Sequence, residues 1–249
     1  MDCKNNIELK VKYKDTLINA TLIYRKRKNV TIEIKPKDNI IVISPKIVSK
    51  ERLEELLIQK GEWILSKLEE YKNMDDYTHA KQLKNGEKFY YLGNEYSLEI
   101  VNTEDSNSSN PKIYIKDNKL LYFTNNTDEG FIKKNLKKWY KTESEKIIIE
   151  RLKNCRENSP IMMKLTPSSL KVKEQKKRWG SCTSKRAIYI NSKIAMARPK
   201  SIDYILIHEF CHLVHMNHSK DFYDLVRSIM PEYKIEEEWL KKNSYKLNL

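Results

Sequence analysis

Three short runs with alternating apolar residues follow one another from Thr16 to Pro45. Leu17, Ile18, Leu22 and Ile23 lie in the first, Val30, Ile32 and Ile34 alternate in the second, and Ile40 to Ile43 form a short apolar run in the third. With a turn signal at Lys37-Asp38-Asn39, they predict a small antiparallel meander. Leu53, Leu56, Leu57, Ile64 and Leu68 then recur at helical spacing. They predict one helix over about 49–72, capped by Ser49, with Gly61 weakening it without ending it. Strands return in 87–124, as one hairpin about Gly93-Asn94 and another about Asp117-Asn118, separated by a polar loop over 102–111.

From Asp128 to about Asn158, the residues Phe131, Leu136, Trp139, Tyr140, Ile147, Ile148 and Leu152 predict a long helix. A break near "NSPIMMKLTP" precedes two strands, "SSLKVKE" and "RAIYIN", which flank a basic turn. The segment from Ile202 to about His215 is apolar almost all round, apart from Asp203 and the His/Glu positions, and so predicts a buried helix with Ser201 as N-cap. Ser219 caps the next helix, and Pro231 opens a last one through Trp239. No internal repeat is visible. The pattern is α+β, with a β-rich N-terminal region (1–125) that holds one helix, and a C-terminal domain (126–249).

Composition narrows the class. No run of about 18 apolar residues exists, and "MDCKNNIELK" lacks the apolar stretch of a secretory signal. The expectation is a cytoplasmic protein without membrane contact, its four cysteines (Cys3, Cys155, Cys182, Cys211) free thiols. The net charge of +14 draws the chain to polyanions. Seven Lys or Arg against Glu174 in "KVKEQKKRWGSCTSKR" (171–186) make weak, non-specific nucleic-acid binding the partner that charge predicts.

The chemistry lies in "HEFCHLVHMNH", 208–218, which holds all the histidines but His79. His208 and His212 stand at i and i+4, about 40° apart around a helix and about 6 Å along it, so their imidazoles converge. Zinc accepts neutral imidazole nitrogens in this arrangement, and Glu209 between them is placed to take a proton from zinc-bound water. A third ligand comes from His215 or His218. On a straight helix His215 lies about 10 Å along the axis from His208, and three collinear ligands cannot close a tetrahedron. His218 avoids this if the chain turns at Met216-Asn217, where Asn tolerates the left-handed conformation.

The segment from Arg178 to Tyr223 resembles the YgjP-like family of metal-dependent hydrolases, distant relatives of the SprT-like zincins. Its marks are Arg178-Trp179-Gly180-Ser181-Cys182, Asp203-Tyr204 at the helix start, the HExxH, and Asn217-His218-Ser219 before Phe222. The resemblance implies a zincin-like domain with an antiparallel sheet and an HExxH helix, one zinc ion, a metallopeptidase activity and His218 as third ligand. In such an architecture 187–191 would be the edge strand beside a cleft for an extended peptide. Tyr189, Asn191, His215 and Tyr223 are then the substrate-binding candidates, Trp179 a lining residue, and Cys182 and Cys211 buried thiols. The competing expectation is a nucleic-acid-associated protein whose zinc is structural or acts on non-peptide amides. Substrate identity and oligomeric state are not legible in the sequence.

Overall fold

Two hairpins open the chain and share one sheet. The structure, a computed structural model, describes residues 7–35, 39–78, 81–103, 111–176 and 178–249, with side chains 35 and 70–78 excepted. The expected turn at Lys37-Asp38 and most of the expected loop over 102–111 lie outside the described residues, as do Cys3, His79 and Lys177. By compactness the chain divides into two units, Met1–His79 and Ala80–Leu249.

In the first unit, β1 (Ile7–Tyr13), β2 (Thr16–Tyr24), β3 (Thr31–Lys35) and β4 (Asn39–Ser44) form a sheet of order β1-β2-β4-β3. β1, whose Leu9 and Val11 are buried, adds a strand to the three read from the sequence. The expected meander is corrected, because β2 pairs with β4 in parallel. The reason is burial: Ile40, Val42 and Ile43 are all buried, so β4 takes an interior position and β3, with Ile32 and Ile34 half-buried, an edge. The single expected helix is two, α1 (Lys50–Gln59) and α2 (Gly61–Thr78). Ser49 caps α1 by accepting from Arg52 N. Gly61 lies against the Tyr13 ring, which a Cβ there would approach to 2.3 Å, so this glycine serves close packing where the helix breaks. Leu53, Leu57 and Ile64 close the core on Leu9, Leu22 and Val42.

The second unit opens with the same strand topology. β5 (Lys88–Tyr91), β6 (Asn94–Asn102), β7 (Lys112–Lys116) and β8 (Lys119–Thr124) lie in the order β5-β6-β8-β7, with β6 and β8 parallel. The hairpin turns are Leu92-Gly93 and Asp117-Asn118, each with both residues at positive φ. The first turn is thus one residue earlier than its sequence signal. Phe89, Leu98, Leu120 and Tyr122 share a core with Ile132 and Leu136 of the long helix α3 (Glu129–Glu157), whose N-cap is Asp128. The expected boundary at 125/126 therefore cuts through one core, and residues 80–125 group with the C-terminal elements.

After α4 (Pro160–Lys164) come β9 (Ser169–Lys173), β10 (Gly180–Cys182) and β11 (Ala187–Asn191), in the order β10-β11-β9. β11 pairs with β9 in parallel and with β10 antiparallel, so this sheet is mixed rather than antiparallel. β11 is its central strand and β10 an edge, so the expected edge role of 187–191 passes to a three-residue strand that the sequence pattern did not reveal. A short 3-10 turn (Ile194–Met196) leads into α5 (Pro199–Cys211), followed by α6 (Lys220–Ile229) and α7 (Tyr233–Asn243). Pro199 occupies the first helical turn of α5 and Arg198 its N-cap, while Ser201 lies inside and donates to Glu236 Oε2 at 2.7 Å. Among the described residues the architecture is α+β, with seven α-helices, and no helix is long and apolar enough to cross a membrane.

Candidate metal centre

Helix α5 is buried along most of its length, with Ile202, Leu206 and Phe210 fully inside. Its axis is fixed at both ends. Glu236 of α7, 2% exposed, accepts from Arg198 Nε at 2.8 Å and from Ser201 Oγ at 2.7 Å. Arg151 of α3 holds Asp203 through both carboxylate oxygens. At the other end Arg186 donates to Leu213 O at 3.1 Å and to Thr166 O at 3.3 Å. These contacts present His208 and Glu209 at the last turn of a rigid helix.

The helix stops at Cys211, with His212 as C-cap, rather than near His215. The chain turns through 212–214, where Leu213 N donates to Phe210 O and Val214 N to Cys211 O, each at 3.0 Å. Asn217 is not among the positive-φ residues, so the expected left-handed turn there does not occur. The outcome for the histidines is nevertheless convergence. His208, His212 and His218 each offer one ring nitrogen, all within 4.8 Å of one another. Nε2 of His208 and Nε2 of His218 are 3.0 Å apart. Ser219, which accepts from Phe222 N to cap α6, fixes the chain just after His218. The Phe222 ring packs beneath all three imidazoles at 4.5–5.0 Å.

The donor set suits a metal ion. His212 Nδ1 lies 3.0 Å from His215 O, and a carbonyl only accepts, so Nδ1 carries the proton and Nε2 is left as a lone pair. Burial, with His212 and His218 alongside, pushes His208 down to about 3, and burial is the main cause lowering His212, so the neutral ligand form is favoured at both. Ligand nitrogens about 2.0–2.1 Å from a tetrahedral ion stand roughly 3.3–3.4 Å apart. The 3.0 Å between the two Nε2 atoms is near that spacing.

Glu209 is 6% exposed, and its Oε2 has no hydrogen-bond partner among the described residues. Burial pushes its carboxyl up to about 7, with Arg178 pulling the other way. It lies against Gly180 of β10, where a Cβ would come within 2.6 Å of both Cγ and Oε1. Two clefts meet at Gly180, His208 and Glu209. One, of about 350 Å³, is lined also by Trp179, Tyr204, Ile205 and Leu240. The other, of about 470 Å³, is lined also by Arg178, Ser181, Cys182, His212, Met216 and His218.

The remaining sequence candidates divide. Tyr223 stacks beside His218, centroids 6.0 Å apart. His215 is half-buried and enters through its carbonyl rather than its ring. Tyr189 is not brought to the cluster: Ile188 and Ile190 face the core, so Tyr189 points to the opposite face, under Lys173 Nζ at 3.8 Å. Asn191 is 4% exposed and supports the loop before β10, its Nδ2 donating to Gln175 O at 2.8 Å and Arg178 O at 2.7 Å. Trp179 lines the first cleft, and its Nε1 donates to Ser244 Oγ at 3.2 Å. Cys211 is buried, but Cys182 is half-buried and lines the second cleft, because β10 is an edge. Tyr204, whose hydroxyl stands 3.5 Å from His208 Nδ1, joins the cluster although the resemblance marks it only as part of the helix start. Its signal was present in the spacing, since Tyr204 and His208 are i and i+4.

Comparison with known proteins bears on the same residues. No curated protein matches the chain. The family model described as "YgjP-like, metallopeptidase domain" matches residues 28–243, which include the strand at Gly180, the three histidines and Glu209. A match over that much of a 249-residue chain settles kinship, and the protein belongs to the YgjP-like metallopeptidase-domain family.

Proposed function

We propose that the chain is a cytoplasmic, zinc-dependent endopeptidase with a zincin-like catalytic unit, in which His208, His212 and His218 hold one ion and Glu209 is the general base. The observation that carries the reading is Glu209 itself. A buried carboxylate with an orphan oxygen is expensive unless something at the site needs it, and here it adjoins three converging imidazoles. Bound there, zinc would supply Lewis acidity to a carbonyl and make water easier to deprotonate.

The protein's own part follows from geometry. Asn191 N donates to Trp179 O and Thr183 N to Ala187 O, and Ser181 pairs with Tyr189 between them. By antiparallel alternation the main-chain groups of Gly180 and Cys182 point away from β11, toward the outer edge. An extended peptide lying along that edge would take those hydrogen bonds and lie across Glu209. Glu209 then accepts a proton from the attacking water and delivers it to the departing amine nitrogen. Clefts on both sides of Glu209 leave room for chain in both directions, which favours internal bonds over ends.

Glu209→Gln tests the assignment. It keeps the shape and should keep stoichiometric zinc, measured by elemental analysis. Peptide hydrolysis should fall by on the order of 10²–10⁴. A zinc-loaded Glu209→Gln protein that turns over at the wild-type rate would place the base elsewhere.

A further inference from the structure

The groove is chemically lopsided about Glu209. On the α7 side it is walled by Trp179, Tyr204, Ile205 and Leu240, and its charged pair is self-contained, Lys241 Nζ standing 3.2 Å from Glu237 Oε1. On the far side Glu209 is the only acid and Arg178 the only Lys or Arg among the described lining residues. Arg178 makes no side-chain hydrogen bond or ion pair among the described residues. Its backbone is nevertheless pinned, because the buried Asn191 amide holds the carbonyls of Gln175 and Arg178. A guanidinium is a planar fork of donors suited to a carboxylate or phosphate, and one presented on a fixed backbone loses less entropy on binding.

We infer that the groove selects substrates by polarity, taking an oxyanion-bearing residue on the Arg178 side of the bond held at Glu209 and an apolar or aromatic residue on the Trp179 side. Arg178 is then a specificity-determining residue, and Asn191 positions it. The inference rests on the reading that an extended peptide lies along β10. Carboxylate and phosphate share the chemistry that Arg178 recognises, so the experiment separates them.

Labelled hexapeptides with a central Phe, differing at one neighbouring position that carries Glu, Gln or phosphoserine, are titrated into zinc-loaded Glu209→Gln protein and followed by fluorescence anisotropy. On one side of the Phe the anionic peptide should bind about tenfold more tightly than its Gln counterpart at low salt. Arg178→Gln should erase the difference, and Arg178→Lys should restore part of it. A stronger Glu peptide identifies a carboxylate, and a stronger phosphoserine peptide a phosphate. Equal binding of the Gln and anionic peptides, a preference that survives Arg178→Gln, or no binding of any peptide overturns the inference. Hydrolysis plays no part in the measurement. A wild-type protein that shows the preference but cuts nothing refutes the peptidase reading alone, and one that cuts without preference refutes the inference alone.

Discussion

Gly180→Ala is the sharpest probe of the contact between β10 and α5. The added Cβ would lie 2.6 Å from Glu209 Cγ and Oε1 and 2.7 Å from Cδ. Carbon atoms settle at about 3.5–4.0 Å, so the carboxylate must retreat by about 1 Å. The obstacle is side chain rather than backbone, so rotation about the Glu209 side-chain bonds relieves it. Gly180 is not among the positive-φ residues, so alanine brings no backbone strain there. The variant should fold, melt within a few degrees of the wild type and keep its zinc. A displacement of about 1 Å in a reacting group costs about 10²-fold in rate, or about 2.7 kcal/mol of barrier. The assay is turnover of a quenched fluorescent peptide, beside metal content and thermal unfolding on the same samples. Unchanged turnover would show that the observed carboxylate position is not the working one. Loss of zinc or of folding would show that the methyl pushes on the helix rather than on the side chain.

The other expectations concern the ligands, the supports and the charge. His218→Ala should lose most of its zinc in competition with a chelator while His215→Ala retains it within about threefold, since His215 serves through its carbonyl; equal retention refutes the ligand set. Glu236→Ala removes the acceptor of Arg198 and Ser201 and should lower stability by about 1–3 kcal/mol in denaturant titration, and an unchanged midpoint would show that the pair does not hold α7 to α5. Arg186→Ala should lower stability by about 1–3 kcal/mol, because two carbonyls lose a charged donor, and an unchanged melting temperature counts against the clamp. Neutralising Lys176 and Lys185 should flatten the salt dependence of any DNA binding by roughly two counterions, and DNA binding that resists 200 mM salt would instead mark a recognition surface.

The histidines were legible because a helix turns spacing into geometry: i and i+4 place His208 and His212 on one face whatever the rest of the fold does. His218 was legible for a weaker reason, namely that a straight continuation could not close the site, and the actual turn came earlier than its asparagine suggested. β10 left no trace in the pattern. Gly-Ser-Cys has no strand propensity, and the strand exists because α5 and β11 hold it. The same limit hid the interior position of β4, since order within a sheet depends on what packs over it. Asn191 looked like a cleft residue, and Arg186 like one more charge of a basic turn, because the sequence shows polarity without showing what answers it. Folded, one pins a loop and the other caps a turn.

All three converging imidazoles fall within residues 208–218. An ion held there would close a loop of about ten residues that already begins on a buried helix and ends on a capped one. The large hydrophobic cluster, meanwhile, runs from Leu83 to Leu247. The apo chain therefore keeps a core of its own, and an ion would add its binding free energy to the folded state. Stripping the ion should free the link between α5 and α6, raising amide exchange over 212–219, and lower the melting temperature while the chain stays folded, unlike a zinc finger whose chain collapses when its metal leaves.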